Sequence, residues 1–308
     1  MSYNIQQNLV GKYVWLIETI YRAKRITFKE INERWRDNVE MSGGEDIPLR
    51  TFNNWRYAIQ DMFGLFIENE RCGDYRYYIE NEEDISNNGL RSWIYSTYCV
   101  GNALAGSQSI KSRILLEDVP SGQVYLHAII DAMKENRVLN ITYKSYWYDE
   151  EKNYNVQPLC IKLFRQRWYL VVQYDKPDYS PWVLALDRIL SLDKTDKTFT
   201  MPKGWDAEEY FDGFIGVLRD NDYNKEIVKI SVSASQAKYL RSLKLHKSQE
   251  EVERNDDHSI FTYYLCPTYD FQQELLRNGE EVEVLEPQWF RDEMAKRIER
   301  MLDLYKED

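Results

Sequence analysis

Guanidinium groups and flat rings alternate along one stretch of the chain, through Arg165, Arg167, Trp168 and Tyr169 and on to Asp187 and Arg188. A guanidinium presents a planar fork that grips carboxylate or phosphate through parallel hydrogen bonds, and an aromatic face attracts cations. Just upstream, Tyr143, Lys144, Ser145, Tyr146 and Trp147 add rings, a cation and a hydroxyl, and Tyr154 and Lys162 stand between the two groups. Brought together by short strands, these residues would hold an anion that carries a ring, each stacked base contributing about 1–3 kcal/mol. A plainer role stands beside that one. Trp168 and Tyr169 sit in a strand where at least one must face the core, and Asp187 can pair with Arg188 simply to fix a chain end.

A second polar set lies near the amino terminus. Phe52, Trp55, Ile59 and Met62 recur at three and four residues, which predicts a helix that buries one side and exposes Arg50, Thr51, Asn53, Asn54 and Arg56. Arginine pairs bidentately with guanine and asparagine with adenine in a major groove, so this face has the chemistry of a groove reader. Thr27, Lys29, Arg71 and Arg76 are expected to add flanking contacts, mostly to phosphates. The net charge of -11 opposes nucleic-acid binding for the chain as a whole, but the basic residues crowd this first segment while acidic runs such as Glu280-Glu281 come late.

Other chemistries find no support. The three histidines, His127, His246 and His258, and the four cysteines, Cys72, Cys99, Cys160 and Cys266, show no metal-ligand spacing, so no metal site is expected. No phosphate-cradling glycine loop and no nucleophile elbow occurs, so we expect neither an enzyme nor a cofactor. No apolar run approaches the roughly 20 residues that cross a bilayer, and Met1 to Gln7 lacks the basic and apolar regions of an export signal. The expected home is the cytoplasm, with no membrane partner.

The elements that must position both sets follow from period and punctuation. Val10, Val14, Ile17 and Tyr21 predict a first helix, Thr27-Phe28-Lys29-Glu30 a capping box opening a second, Pro48 the start of the third, and Gly64 its end. Met41 to Asp46 reads as a loop. Leu65 to Ile67 and Tyr75 to Ile79 flank a polar turn and predict a hairpin. Three helices and a hairpin make a winged helix-turn-helix over 1–80, followed by a helical linker over 81–118 whose segment Trp93 to Leu104 is too apolar to stand alone. From 119 to 202 a helix leads into short strands, with Leu139, Ile141 and Tyr143 facing one way and Asn140, Thr142 and Lys144 the other. A connector over 203–226 precedes a βαββαβ order over 227–308, which is the ferredoxin-like arrangement, and a last helix with Phe290, Met294, Ile298, Met301 and Tyr305 on one face.

Several of these stretches carry a family resemblance. Arg167-Trp168-Tyr169-Leu170 opening Val171-Val172, with Ile141-Thr142-Tyr143 and Val156-Gln157-Pro158-Leu159 before it and Leu184 to Ile189 with its Asp187-Arg188 pair after it, resembles the WYL domain, a sensory module of bacterial transcriptional regulators. Arg50-Thr51-Phe52 is similar to the opening of recognition helices in that family. Asn54-Trp55-Arg56 stands where the family has an Arg-Asp pair, and Tyr154-Asn155-Val156-Gln157 lacks the arginine that usually precedes the proline. The resemblance implies an α+β protein: an N-terminal winged helix, a central Sm- or SH3-like β-barrel and a ferredoxin-like extension. Its implied partners are a double-stranded DNA operator, an anionic nucleotide or oligonucleotide effector, and a second copy in a homodimer. The alternative of a different class is a nucleic-acid-binding adaptor of a defence or repair system, in which the barrel grips single strands.

Overall fold

The structure is a computed structural model that describes residues 2–86, 90–105, 113, 115, 122–146, 149–174, 180–220 and 222–306. Trp147 of the expected aromatic set lies outside the described residues. The chain is α+β and divides into two compact units, Met1–Glu117 and Asp118–Asp308.

In the first unit, α1 (Ser2–Ala23), α2 (Phe28–Asp37), the single turn α3 (Val39–Ser42) and α4 (Leu49–Phe63) precede a two-stranded antiparallel sheet of β1 (Ile67–Asn69) and β2 (Tyr77–Ile79). Helix α2 starts where the Thr27 hydroxyl accepts from the Glu30 amide at 3.2 Å and the Glu30 carboxylate accepts from the Thr27 amide at 2.8 Å. The bond from the Thr27 amide, with a second donated to the carboxylate by the Thr27 hydroxyl at 2.8 Å, holds the Glu30 carboxyl below its ordinary pKa. The core joins Leu16, Ile17 and Ile20 of α1 to Ile31 and Trp35 of α2 and to Phe52, Trp55, Ile59 and Phe63 of α4. Each such side chain contributes about 1.5–3 kcal/mol by leaving water. Trp35 stands edge-on to Trp15 at 4.8 Å and to Trp55 at 5.5 Å, which locks the three long helices together. Two details depart from the sequence reading. The polar stretch after α2 opens with α3, closed by Gly43 at φ 64, and α4 takes a final i+4 step to bury Phe63, leaving Met62 41% exposed.

After the short α5 (Glu83–Ser86), α6 (Leu90–Ala105) packs on this core through Tyr95 and Tyr98, whose rings lie edge-on to Phe63 at 6.2 and 5.5 Å.

The second unit opens with α7 (Leu126–Lys134) and a five-stranded antiparallel sheet: β3 (Arg137–Tyr143), β4 (Lys152–Phe164), β5 (Arg167–Tyr174), β6 (Trp182–Ala185) and β7 (Ile189–Thr198), in the order β6-β5-β4-β3-β7. One face packs Leu139, Ile141, Val156, Trp168, Leu170 and Val172 against Ile129 and Ala132 of α7. The other gathers Val138, Leu159, Cys160 and Val171 around Phe199 and Tyr210, the latter on α8 (Ala207–Tyr210). The sheet is open, not the closed barrel expected from the sequence. Among the described residues no ladder joins β6 to β7, because β6 ends after four residues in a 3-10 turn, Leu186–Arg188, and the Ala185 amide donates to the Tyr143 hydroxyl at 3.3 Å instead of to a strand. That turn interrupts what reads in sequence as one closing strand.

The remaining elements run β8 (Glu226–Ser233), α9 (Ala234–Ser242), β9 (Glu250–Arg254), β10 (His258–Leu265), α10 (Tyr269–Leu276), β11 (Val282–Glu286) and α11 (Gln288–Asp303), with sheet order β11-β8-β10-β9. Alternating Val228, Ile230 and Val232 meet Phe261, Tyr263, Phe271 and Phe290 in a separate core. Along the expected apolar face of the last helix, Phe290 and Met294 are buried, whereas Ile298, Met301 and, beyond the end of α11, Tyr305 are exposed.

Candidate functional site

Two polar surfaces emerge, one on each unit. On α4 the buried row leaves Leu49, Arg50, Asn54 and Tyr57 exposed and Thr51, Asn53 and Arg56 half-buried. Arg56 is fastened within the unit. Its Nε donates to the Ile67 carbonyl at 2.9 Å, a second guanidinium nitrogen reaches the same oxygen, a third reaches the Asn53 side-chain oxygen at 3.4 Å, and the group lies over the Tyr77 ring at 5.3 Å. Arg56 and Asn53 therefore tie α4 to β1, and Arg50 and Asn54 are the groups turned to solvent. Thr27 caps α2; Lys29 and Arg71 are exposed; Arg76, also exposed, pairs with Asp74 at 2.9 Å across the hairpin turn. Ile26 adds a bridge to Tyr77, its amide donating at 3.1 Å and its carbonyl accepting at 2.7 Å, which fixes the hairpin beside the start of α2.

On the second unit the sheet alternates Trp168 into the core with α7 and puts Arg167 and Tyr169 on the opposite face. Arg167 reaches the Asp187 carboxylate at 3.6 Å, and that carboxylate side chain is only 8% exposed. Arg188 stacks its guanidinium on the Tyr146 ring at 3.9 Å. Its backbone carbonyl accepts from the Lys144 amide at 3.1 Å, while the Lys144 side chain stays exposed. Burial pushes the phenols of Tyr143 and Tyr169 up in pKa; at Tyr143 the hydrogen bond from the Ala185 amide and then the Arg188 charge oppose that rise. Thus Tyr143, Tyr146, Arg167, Asp187 and Arg188 gather at the 3-10 turn.

Two atoms there are buried with no hydrogen-bond partner among the described residues, Oδ1 of Asp187 and Nε of Arg188. A buried acceptor and a buried donor left unmet cost about 1–3 kcal/mol each, so they mark a place suited to a polar guest or water. The turn itself depends on a residue that chemistry-minded reading passes over. Gly122, at φ 67, lies so close that a Cβ there would meet the Leu186 carbonyl carbon at 2.4 Å and the Asp187 nitrogen at 2.5 Å. A glycine just ahead of a helix start is the only sequence signal for it.

Residues 124–194 match the WYL domain model and residues 224–302 match the WCX domain model. The chain carries a WYL domain followed by a WCX domain. Two solved structures are similar in outline. Proteasome accessory factor B/C (PafBC) of Arthrobacter aurescens is 17% identical, with 95% of this chain and 46% of that chain covered and a TM-score of 0.39. A CRISPR Cas-related protein is 11% identical, with 97% and 85% covered and a TM-score of 0.39. The chain thus spans about half the length of PafBC. No curated protein matches it.

Within the WYL domain, three of the sequence-derived site residues lie away from the turn. Tyr154 packs edge-on to Trp182 at 5.1 Å and to Tyr174 at 6.1 Å in an aromatic cluster. Lys162 donates to the Gly216 carbonyl at 2.6 Å and lies 3.8 Å from the centre of the Phe211 ring, and burial lowers its pKa to about 8. Arg165 pairs with Glu274 of the WCX domain. Arg165 thereby links the two domains directly, while Lys162 reaches the connector between them, which Asp270 of the WCX domain also holds, its carboxylate accepting from the amides of Val217 and Leu218 at 2.9 and 3.0 Å. Ser145 is half-buried close in sequence to Tyr146.

Proposed function

We propose that the chain is a DNA-binding transcriptional regulator whose WYL domain senses an anionic, nucleotide-like effector. The observation that carries the DNA-binding half is the solvent-facing row of α4, where Arg50 and Asn54 stand free of the core that Phe52, Trp55 and Ile59 anchor. In this reading the first unit is a winged helix-turn-helix: α4 enters the major groove, the β1–β2 hairpin with Arg71 and Arg76 is the wing, and Lys29 contacts a phosphate. Each specific base contact is worth about 1–3 kcal/mol.

The sensing half rests on the turn at Asp187–Arg188. An unmet acceptor beside an unmet donor suits a guest that is anionic and also carries an N–H or O–H group, a pairing found in nucleotides. The WYL sheet is then a strongly bent Sm-like scaffold for that turn, and the WCX domain a ferredoxin-like extension. A second copy, joined through exposed Trp93, Tyr98 and Val100 of α6 or the outer half of α11, would place two recognition helices on one palindromic operator. Effector and operator would be coupled by about 1–3 kcal/mol.

Selection of duplexes from a random pool by the purified chain tests the reading. A regulator enriches a short palindrome and loses it on Arg50→Ala; length-dependent, sequence-tolerant retention of single strands would instead support an adaptor.

A further inference from the structure

We infer that the cleft between the β4–β5 turn of the WYL domain and helices α10 and α11 of the WCX domain is a binding site for a phosphate group, separate in its residues from the Asp187–Arg188 turn. The cleft has a volume of about 520 Å³ and is lined by Arg165, Gln273, Leu276, Arg277, Arg297 and Met301. Three guanidiniums and an amide surround it, over an apolar floor of Leu276 and Met301.

Charge at the cleft is not cancelled by its surroundings. Glu274 is the carboxylate that engages a cleft arginine, through Arg165. Of the five other carboxylates on the facing helices, Asp270 is held by the amides of Val217 and Leu218, Glu293 by the Tyr223 hydroxyl and the Gln272 amide, both at 2.9 Å, Asp292 accepts from the Gln288 amide at 2.7 Å, Asp303 pairs with Lys306 at 2.8 Å, and neither these nor Glu299 lines the cleft. Among the described residues, three arginines and no carboxylate line the cleft, with Glu274 pairing to Arg165 at its edge. Arg297 is positioned for use: its guanidinium lies 5.4 Å from the centre of the Tyr269 ring, and its Nε is buried without a hydrogen-bond partner among the described residues. A fixed, unmet guanidinium N–H in a cationic cleft is a ready donor to an oxyanion.

The turn that delivers Arg165 points the same way. Arg165 and Gln166 adopt φ 48 and φ 63, the paired left-handed conformation of a two-residue hairpin loop for which Asn-Gly is the favoured sequence. Keeping a long side chain in that backbone costs stability, and such strain is characteristic of positions retained for what the side chain does. Here it places a guanidinium opposite α10. A planar fork from each of two domains suits a tetrahedral anion with several acceptor oxygens, so the class is a phosphate monoester or an internucleotide phosphodiester.

The test uses the full chain, with inorganic phosphate followed by calorimetric titration and a fluorescein-labelled pentathymidylate lacking a terminal phosphate followed by anisotropy. Binding of phosphate alone assigns a monoester; binding of the oligonucleotide, displaced by phosphate, assigns a phosphodiester. In either case Arg277→Glu, on an exposed position, weakens binding at least 10-fold without changing the melting temperature, and Arg297→Lys, which keeps the charge but loses the fork, weakens it about threefold. Whatever binding remains in Arg188→Ala is still weakened at least 10-fold by Arg277→Glu. Equal losses from Arg277→Glu and from the remote exposed reversal Lys238→Glu would reduce the effect to general electrostatics and overturn the site. So would absence of binding by both probes. Loss on Arg188→Ala with none on Arg277→Glu would also remove this cleft, while leaving the effector site at Asp187–Arg188 intact.

Discussion

Helix α4 and the Asp187–Arg188 turn both present arginine, yet they hold it in opposite ways. On α4, Arg50 and Asn54 lie in water on a rigid helix whose other side is fully buried, so their charge and dipoles cost little to maintain and can meet a large, flat-walled partner. At the turn, the Asp187 carboxylate is almost wholly buried, Arg188 is covered by Tyr146, and one polar atom on each is unmet among the described residues. Desolvated charges interact several times more strongly than exposed ones, and leaving them imperfectly paired costs stability. The contrast teaches that an exposed polar row suits a long ligand reached over many weak contacts, whereas a half-buried, under-satisfied pair suits a small one.

The double variant Arg50→Ala with Asn54→Ala should break one side of that comparison without touching the other. We expect it to lower operator affinity by about 2–6 kcal/mol in a titration at fixed salt while leaving effector affinity unaltered, since each base contact contributes about 1–3 kcal/mol. Equal affinity for operator and mutant sites would remove α4 from the interface. Gly122→Ala should act in the reverse sense. A Cβ driven into the Leu186–Asp187 backbone shifts the turn, so we expect a loss of about 1–3 kcal/mol in denaturant unfolding together with weakened effector binding, and no change in the first unit's helical packing. Unchanged stability would show that the turn tolerates displacement.

Asp187→Asn sharpens the contrast more gently. It keeps the shape but removes the charge that faces Arg167 at 3.6 Å, and a loss of about 1–2 kcal/mol is expected by the same assay, against nearly zero for the exposed pair of Arg76 and Asp74. Comparable losses at the two pairs would erase the distinction. Lys162 gives the smallest effect and a definite sign. Its folded pKa of about 8 lies below the ordinary lysine value, so between the two the unfolded chain binds more protons and stability rises with pH; below about pH 8 both states are charged and the term is constant. Lys162→Met should remove part of the rise in melting temperature between pH 8 and 10. An identical pH profile in the variant would mean that Lys162 is better solvated than its burial suggests.

Much of the scaffold was legible because it rests on period and punctuation. The capping box at Thr27–Glu30, the buried row of α4, the inward set Leu139, Ile141 and Tyr143, and the βαββαβ order all follow from local pattern. What was not legible depends on contacts distant in sequence. Leu184 to Ile189 reads as one apolar strand, and only the close approach of Gly122 and the hydrogen bond from Ala185 to Tyr143 turn its second half into the corner that carries Asp187 and Arg188. Likewise nothing beside Arg56 announces that its partner is the carbonyl of Ile67, or beside Lys162 and Arg165 that theirs belong to Gly216 and Glu274. Residue type foretold the chemistry available to these side chains, but not which partner would satisfy it.

The central claim, that an exposed row on α4 reads DNA under the control of a guest at the Asp187–Arg188 turn, is tested most directly by one coupled titration. Affinity for the duplex selected by the chain is measured with and without a saturating nucleotide or oligonucleotide effector, in the wild type and in Arg188→Ala. A shift of about 5- to 150-fold in the wild type that vanishes in Arg188→Ala is the expected result. The same shift in both proteins, or sequence-tolerant binding that ignores the effector, would contradict it.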